Sequence, residues 1–149
     1  MINKFHGEYR WLSNFWPCTI RFNGEIYPSV EHAFQAAKSQ DPVVRKEIAQ
    51  APSPGSAKRM GRRVQLRPGW DSMKQGVMLA LLLVKFQDPE LQAKLLATGD
   101  EELVEGNTWG DTYWGCCNGV GENKLGKALM QVRKILRPSE TKGFFNLDQ

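Results

Sequence analysis

Tyr27-Pro-Ser-Val-Glu-His-Ala-Phe-Gln-Ala-Ala-Lys38 is the stretch whose reading decides the fold. Ser29 is a good N-cap, its side-chain oxygen available to an otherwise unpaired amide of the first helical turn. Behind it Val30, Ala33, Phe34 and Ala37 recur at i, i+3, i+4 and i+7, which predicts a helix with one buried face. At about 100° per residue, Glu31, Phe34 and Lys38 share a sector of roughly 60°, and His32 points nearly the opposite way. Glu31 and Lys38 therefore stand on the shoulder of the apolar stripe, two turns apart. A carboxylate is costly to half-bury there without a partner or a chemical task. Glu31 also has a plain electrostatic reading, since an acidic residue in a first turn is favoured by the helix dipole.

Upstream of this helix the chain reads as strands and turns from Phe5 to Tyr27. Thr19-Ile-Arg-Phe22 alternates, Asn23-Gly24 is a hairpin turn signal, and Glu25-Ile-Tyr27 returns. Before it lies Glu8-Tyr-Arg-Trp-Leu-Ser-Asn-Phe-Trp-Pro17, an aromatic segment broken by small polar residues. Such a segment serves either as a packing plug or as a flat apolar clamp, with Arg10, Ser13 and Asn14 supplying hydrogen bonds.

Downstream, Asp41-Pro42 is an N-cap and N1 pair that opens a short helix through about Gln50. Pro52-Ser-Pro-Gly55 breaks the chain, and a third helix from about Ser56 carries Lys58, Arg59, Arg62 and Arg63. That basic run reads first as a solvated face and second as a phosphate subsite. Arg67-Pro-Gly-Trp-Asp71 is a turn ending in an N-cap aspartate, followed by a long helix from about Ser72 to Gln87. Val77, Leu81 and Val84, with Met78, Leu82 and Leu83, make it apolar over much of its circumference, as a central core helix is. Trp70 reads there as a staple against it. Pro89 to Ala97 gives a further short helix, Leu103-Val-Glu105 a short strand, and Lys124 to Leu136 a last helix burying Leu125, Leu129, Val132 and Leu136. Beyond Pro138 the tail is polar and is expected to fray.

Between Glu105 and Asn123 the character changes. Glycines, tryptophans and polar residues alternate there without helical or strand period. A long irregular loop inside a compact domain is usually functional, and its glycines permit close backbone approach to a ligand.

Composition narrows the classes. With 149 residues, 41% hydrophobic and 24% charged, the chain is globular and of one-domain size, residues 1–149 with a core from about 5 to 137. No apolar run reaches membrane-spanning length, and the N-terminus lacks a signal core, which predicts no export. Cys18 and the adjacent Cys116 and Cys117 suit a reduced, cytoplasmic setting rather than a disulfide framework. They lack metal-ligand spacing, and only His6 and His32 could assist, so no metal is expected. A net charge of +4 is compatible with a phosphorylated or nucleic-acid ligand.

Several segments occur in one order: Ser13-Asn-Phe15, the Tyr27–Lys38 stretch, Ala57-Lys-Arg-Met-Gly61, Trp70-Asp71, Lys85-Phe86, Leu95-Leu-Ala-Thr98, Leu103-Val-Glu105, Asp111-Thr-Tyr-Trp-Gly115 and Asn123-Lys-Leu-Gly126 with Leu129-Met130. From about Phe5 to Arg133 the chain resembles the NADAR, or YbiA-like, family of N-glycosidases. The resemblance implies a single α+β domain, mainly helical with a small antiparallel sheet, that hydrolyses the C1–N bond of a phosphorylated ribosyl compound without a cofactor. In the riboflavin-pathway branch the substrates are ribosylaminopyrimidine 5′-phosphates, giving ribose 5-phosphate. Another branch removes ADP-ribose from guanine bases in nucleic acid. The family's key glutamate corresponds to Glu31, its tryptophan before the long helix to Trp70 and its loop aspartate to Asp111.

The chemistry fits those residues. Cleaving an N-glycoside develops positive charge at C1, and a carboxylate beside it stabilises that charge or activates water. Glu31 is the residue expected in that role. Asp111 either holds a ribose hydroxyl or handles the proton. Lys38 keeps the glutamate ionised or binds phosphate. Phe15, Trp70 and Trp114 suit stacking on a flat heterocycle, Arg10, Ser13 and Asn14 suit its polar edge, and Gly115, which closes the Asp111 motif, is expected against the substrate. For Trp109 and Trp114 plain packing is an equal reading, and Glu105 reads as an ion-pair partner. A module that binds a nucleotide or ADP-ribose without turnover is the alternative of a different class; it predicts saturable binding with no ribose released.

Overall fold

The structure, a computed structural model, describes residues 1–138. The polar tail read after Pro138 lies outside them. The aromatic segment at the N-terminus is a loop that opens with a 3-10 turn over Gly7–Leu12. Trp11 and Leu12 are buried there, so the aromatic spacing serves a tight turn, with side chains on both sides of the chain used for packing. The hairpin then follows as expected: β1 (Ile20–Phe22) pairs antiparallel with β2 (Glu25–Tyr27), Ile20 opposite Tyr27. Asn23 and Gly24 both take positive φ, 51° and 80°, as a two-residue hairpin turn requires.

Three helices in succession start on side-chain caps that their sequences carry. Ser29 caps α1 (Val30–Ala37) through the His32 amide, and Asp41 caps α2 (Pro42–Ala49) through the Val43 amide at 2.9 Å. α3 (Pro54–Gly61) begins earlier than expected, because Ser53 takes the Ser56 amide at 3.1 Å and Pro54 fills the first helical position. α4 (Trp70–Lys85) differs at its start. Gly69, at φ 75°, is the residue that turns the chain into the helix, so Trp70 and Asp71 already belong to it. Asp71 is not the cap; it pairs with Lys74 at 3.2 Å one turn on. α5 (Pro89–Ala97) and α6 (Lys124–Leu136) keep the expected bounds. On α6 Leu125, Leu129 and Val132 are buried and Leu136 half so; the unexpected buried group is Arg133, bonded to the Thr98 hydroxyl at 2.9 Å.

The largest departure from the sequence pattern is α1 itself. Every residue from Val30 to Ala37 is buried, not one face of the helix. α2, α3 and α4 pack around it, so it is the central helix, and α4 lies against it with Met78, Leu81, Leu82 and Lys85 buried and Val77 and Val84 partly so. The apolar stripe marks only the sides that meet hydrocarbon; the remaining sides bury polar side chains that are hydrogen-bonded, save the Gln35 side-chain oxygen. His32 illustrates this. Its Nε2 lies 3.0 Å from the Ala51 carbonyl and its Nδ1 2.7 Å from the Ser29 hydroxyl. A carbonyl only accepts, so Nε2 carries the proton and Nδ1 accepts from Ser29.

The expected strand at Leu103–Glu105 reduces to one parallel bridge, Ile2 with Leu103, fixed by the Ile2 amide to the Glu102 carbonyl at 2.8 Å. The irregular stretch beyond it contains a short parallel pair instead, β3 (Gly106–Asn107) with β4 (Cys116–Cys117). Cys116 and Cys117 thus form a strand, and both are free thiols. Among the described residues no helix is long and apolar enough to cross a membrane.

Candidate active site

α1, the 3-10 turn with the residues after it, α3 and the 105–123 stretch converge on one cavity of about 660 Å³. From α1 come Glu31, Phe34, Gln35 and Lys38, four residues whose spacing turns them to one side of the helix. Glu31 is 7% exposed. Gln35, one turn on, donates from Nε2 to Glu31 Oε1 at 2.9 Å. With its amide nitrogen on the carboxylate, the Gln35 carbonyl Oε1 faces the other way, buried and without a partner. It lies over Gly61 of α3, where an added Cβ would come within 1.9 Å of it. Gly61 therefore lets α3 approach closely enough to lock the glutamine, and the glutamine locks the glutamate.

Burial pushes the Glu31 carboxyl above the usual carboxylate range, and the Gln35 bond, Lys58 and Lys38 pull it back. Lys38 is lowered by its own burial, raised by Glu31, and lowered again by Arg62, Lys58 and Lys74. Of these cations Lys38 and Lys58 are the pair that lines the cavity. A pair of that kind suits a dianion far better than either alone.

The second wall is the 105–123 stretch. Asp111 Oδ1 accepts the backbone amides of Tyr113 at 3.1 Å and Trp114 at 2.9 Å, which folds the chain tightly around it. Asn107 braces the same turn, donating to the Asp111 carbonyl at 2.9 Å and accepting the Asp111 amide at 3.1 Å. It also donates to Glu105 Oε2 at 3.0 Å. Burial, with Asp111 adding to it, raises the Glu105 carboxyl to about 7, against the Asn107 bond and Lys58.

Between the walls lies an aromatic group. Phe34 meets Trp114 edge-on at 5.3 Å, and Tyr113 meets Trp114 at 4.9 Å. Phe15, 44% exposed, and Trp109, 56% exposed, both line the cavity and offer free ring faces. Arg10 lies 5.7 Å over the Trp16 ring. The floor under Ser13 and Asn14 is fixed from α4, where Lys85, fully buried, donates to the Ser13 carbonyl at 2.9 Å. Burial lowers that ammonium to about 8.

Of the residues expected at the site, Glu31, Asp111, Arg10, Ser13, Asn14, Phe15, Lys38 and Trp114 line this cavity together. Trp70 and Gly115 do not. Trp70 is 6% exposed and packs behind Phe34 at 5.3 Å, so it backs the aromatic wall and has no free face for a heterocycle. Gly115 is buried under Glu105, where a Cβ would come within 1.8 Å of Oε2. Four residues enter that the pattern left in other roles. Gln35 was findable as the i+4 neighbour of Glu31. Lys58 is the member of the basic run that reaches the cavity, whereas Arg59, Arg62 and Arg63 stay exposed. Glu105 meets an amide and not a cation as its nearest partner, and Asn107 carried no signal. Among the described residues no three His, Cys, Asp or Glu side chains converge as metal ligands.

A cavity of this make-up has counterparts. The NADAR domain family model matches residues 2–137. The N-glycosidase YbiA of Escherichia coli K12 is 44% identical over 133 residues, 87% of this chain and 82% of that one. An N-glycosidase of Nostoc punctiforme is 40% identical over 141 residues, covering 90% of each. A riboflavin biosynthesis protein of Vibrio vulnificus is 38% identical over 85% of this chain, within 35% of its own length. The solution structure of E. coli YbiA superposes with a TM-score of 0.79, at 38% identity over all of this chain and 90% of that one. The fold is therefore α+β and YbiA-like, and with nearly its whole length matched the chain belongs to the NADAR domain family.

Proposed function

We propose that this cavity hydrolyses the C1–N bond of a heterocycle attached to a 5′-phosphorylated ribose, with the ribosylaminopyrimidine 5′-phosphates of early riboflavin synthesis as the substrate class. As a relative of named N-glycosidases at 40–44% identity, the chain is a hydrolase of N-glycosyl bonds. The finer reading rests on one observation: a buried carboxylate, Glu31, shares a small-molecule-sized cavity with a cationic group and exposed aromatic rings.

Each part then has a task. Lys38 and Lys58 take the 5′-phosphate. Phe15 and Trp114 bracket the flat base, and Asn14 and Arg10 meet its polar edge. Asp111, one oxygen already committed to two backbone amides, offers the other to a ribose hydroxyl. As the C1–N bond breaks, cationic character grows at C1 beside Glu31. A carboxylate there stabilises it and takes a proton from the incoming water. Water exclusion by the surrounding apolar wall strengthens that attraction.

The experiment is release of ribose 5-phosphate from a ribosylaminopyrimidine 5′-phosphate by wild type and Glu31→Gln, with DNA bearing ADP-ribosylated guanine assayed beside it. Wild-type turnover of the metabolite, lost by about a thousandfold or more in the variant at an unchanged melting temperature, is the expected result. Turnover of the modified DNA alone would move the substrate to nucleic acid. Binding without release of ribose from either would leave a sensor module.

A further inference from the structure

The C1–N reaction needs a proton as well as a carboxylate. An amine attached to a heterocycle is a poor leaving group as an anion and departs readily once protonated. Of the acidic side chains lining the cavity, Asp111 is held by two backbone amides on one oxygen, and Glu31 has Gln35 on one oxygen with Lys38 and Lys58 beside it. Those contacts suit acceptors. Glu105 also takes a side-chain amide on one oxygen, and differs from Glu31 in having Asp111 rather than Lys38 as a charged neighbour. Asn107 donates to Oε2, which leaves Oε1 to carry the proton. Its backbone is pinned on both sides, its amide donating to Asn123 Oδ1 at 3.0 Å and its carbonyl accepting the Cys116 amide at 2.8 Å. Gly115 leaves room for the carboxyl where any side chain would displace it. A carboxyl so fixed in a ligand-sized cavity has structural support beyond what an ion pair needs.

We infer that Glu105 is the general acid: its carboxyl gives a proton to the leaving nitrogen as the C1–N bond breaks and the bonding pair departs with nitrogen, while water adds to C1 and passes its proton to the Glu31 carboxylate. One proton leaves Glu105, one arrives at Glu31, and exchange with solvent restores both. The assignment rests on the N-glycoside reading of the cavity. The charged and titratable groups around Glu105 are Lys58 of α3, Asp111 of its own stretch, Glu31 and Lys38 of α1, and His6 and Arg10 at the N-terminal turn. Burial and Asp111 raise its carboxyl to about 7, so it still holds a proton near neutrality; burial raises the Glu31 carboxyl too, and there the Gln35 bond, Lys58 and Lys38 favour the ionised form. The difference in charge between the two sites, Lys38 beside Glu31 and Asp111 beside Glu105, is what divides base from acid.

The test compares wild type and Glu105→Gln on two substrates. One is a ribosylaminopyrimidine 5′-phosphate; the other is 4-nitrophenyl riboside 5-phosphate, whose phenolate leaves without a proton. Glu105→Gln should lose about a hundredfold or more in kcat on the first and stay within about threefold on the second. The wild-type alkaline limb near pH 7 on the first substrate should vanish. Glu105→Asp, which retains a carboxyl, should keep that limb and recover part of the rate. Equal losses on both substrates, or an alkaline limb that persists in Glu105→Gln, would overturn the assignment and leave the hydrolase reading intact. If the wild type refuses the nitrophenyl substrate, the limb on the first decides alone. Wild-type failure on both substrates would take down the ribosylaminopyrimidine reading, and this assignment with it.

Discussion

The two walls of the cavity are built in contrasting ways. On α1 the helix repeat does the positioning: Glu31, Phe34, Gln35 and Lys38 project to one side because 3.6 residues make a turn, and a single side-chain bond completes the arrangement. Across the cavity, Glu105, Trp109, Asp111 and Trp114 come from a stretch with only two short strands. There Asn107 ties to residues 105 and 111, Asp111 ties to 113 and 114, and Asn123 reaches back to 103 and 105. A helical wall tolerates changes that respect its period. The loop wall has no period to fall back on, so one misplaced atom is transmitted to every residue it holds.

Gly115→Ala is the harshest way to break that contrast. Its Cβ would lie 1.8 Å from Glu105 Oε2 and 2.1 Å from the Glu105 carbonyl, which is itself the acceptor of the Cys116 amide. The backbone pair must shift, at a stability cost of about 1–3 kcal/mol for overpacking. A displacement of about 1 Å at reacting groups costs about a hundredfold in rate. We therefore expect kcat/KM to fall by at least about a hundredfold, with a modestly lower melting temperature. Retention of wild-type kcat/KM would show that the loop wall does not position the chemistry.

The same contrast decides how much was legible in the sequence. The hairpin at Asn23-Gly24, the caps at Ser29 and Asp41 and the bounds of α5 and α6 follow from local rules, and the structure keeps them. Glu31 and Lys38 were readable as neighbours because helix spacing is a local property. Complete burial of α1 was not, because polar groups such as His32 and Gln35 are buried by partners far along the chain, the Ala51 carbonyl and Gly61. Trp70 shows the limit of motif reading. Its place before the long helix is recognisable, but whether it faces the ligand or backs Phe34 depends on where Gly69 turns the chain. In the loop, the glycines and Asp111 signalled a site, whereas Asn107, which holds it together, looks like any polar loop residue.

A milder break falls on the helical wall. Gln35→Met keeps the length of the side chain, removes the donor to Glu31 and also removes a buried carbonyl that has no partner. Losing a hydrogen bond and losing an unsatisfied polar atom act in opposite directions, so stability should stay within about 1 kcal/mol of wild type. Activity should drop by roughly tenfold, since a charge-assisted bond of this kind contributes about 1.5–3 kcal/mol and solvent recovers part of it. The Gln35 bond lowers the Glu31 carboxyl, so its loss moves the acidic limb of the rate profile to higher pH. A limb that moves to lower pH would mean that Gln35 does not stabilise the ionised glutamate.

The smallest effect sharpens the comparison from the loop side, through stability rather than rate. The Glu105 carboxyl is raised from 4.5 unfolded to about 7 in the fold. Below about pH 4.5 both states hold the proton and the group favours neither. Between the two values the unfolded chain has released its proton while the folded one retains it, so stability falls as pH rises, and above about pH 7 the folded state carries the full burden of a partly buried anion. Glu105→Gln is neutral throughout and escapes that fall. Measured at pH 4.5 and again at pH 8, the melting temperature of the variant should gain on that of wild type, by a small margin because Glu105 is partly open to water. A gap of the same size at both pH values would mean that the carboxyl titrates in the folded loop as it does in the unfolded chain. The loop wall would then hold Glu105 by geometry alone, without the shift in proton affinity that fits it to give up a proton near neutrality.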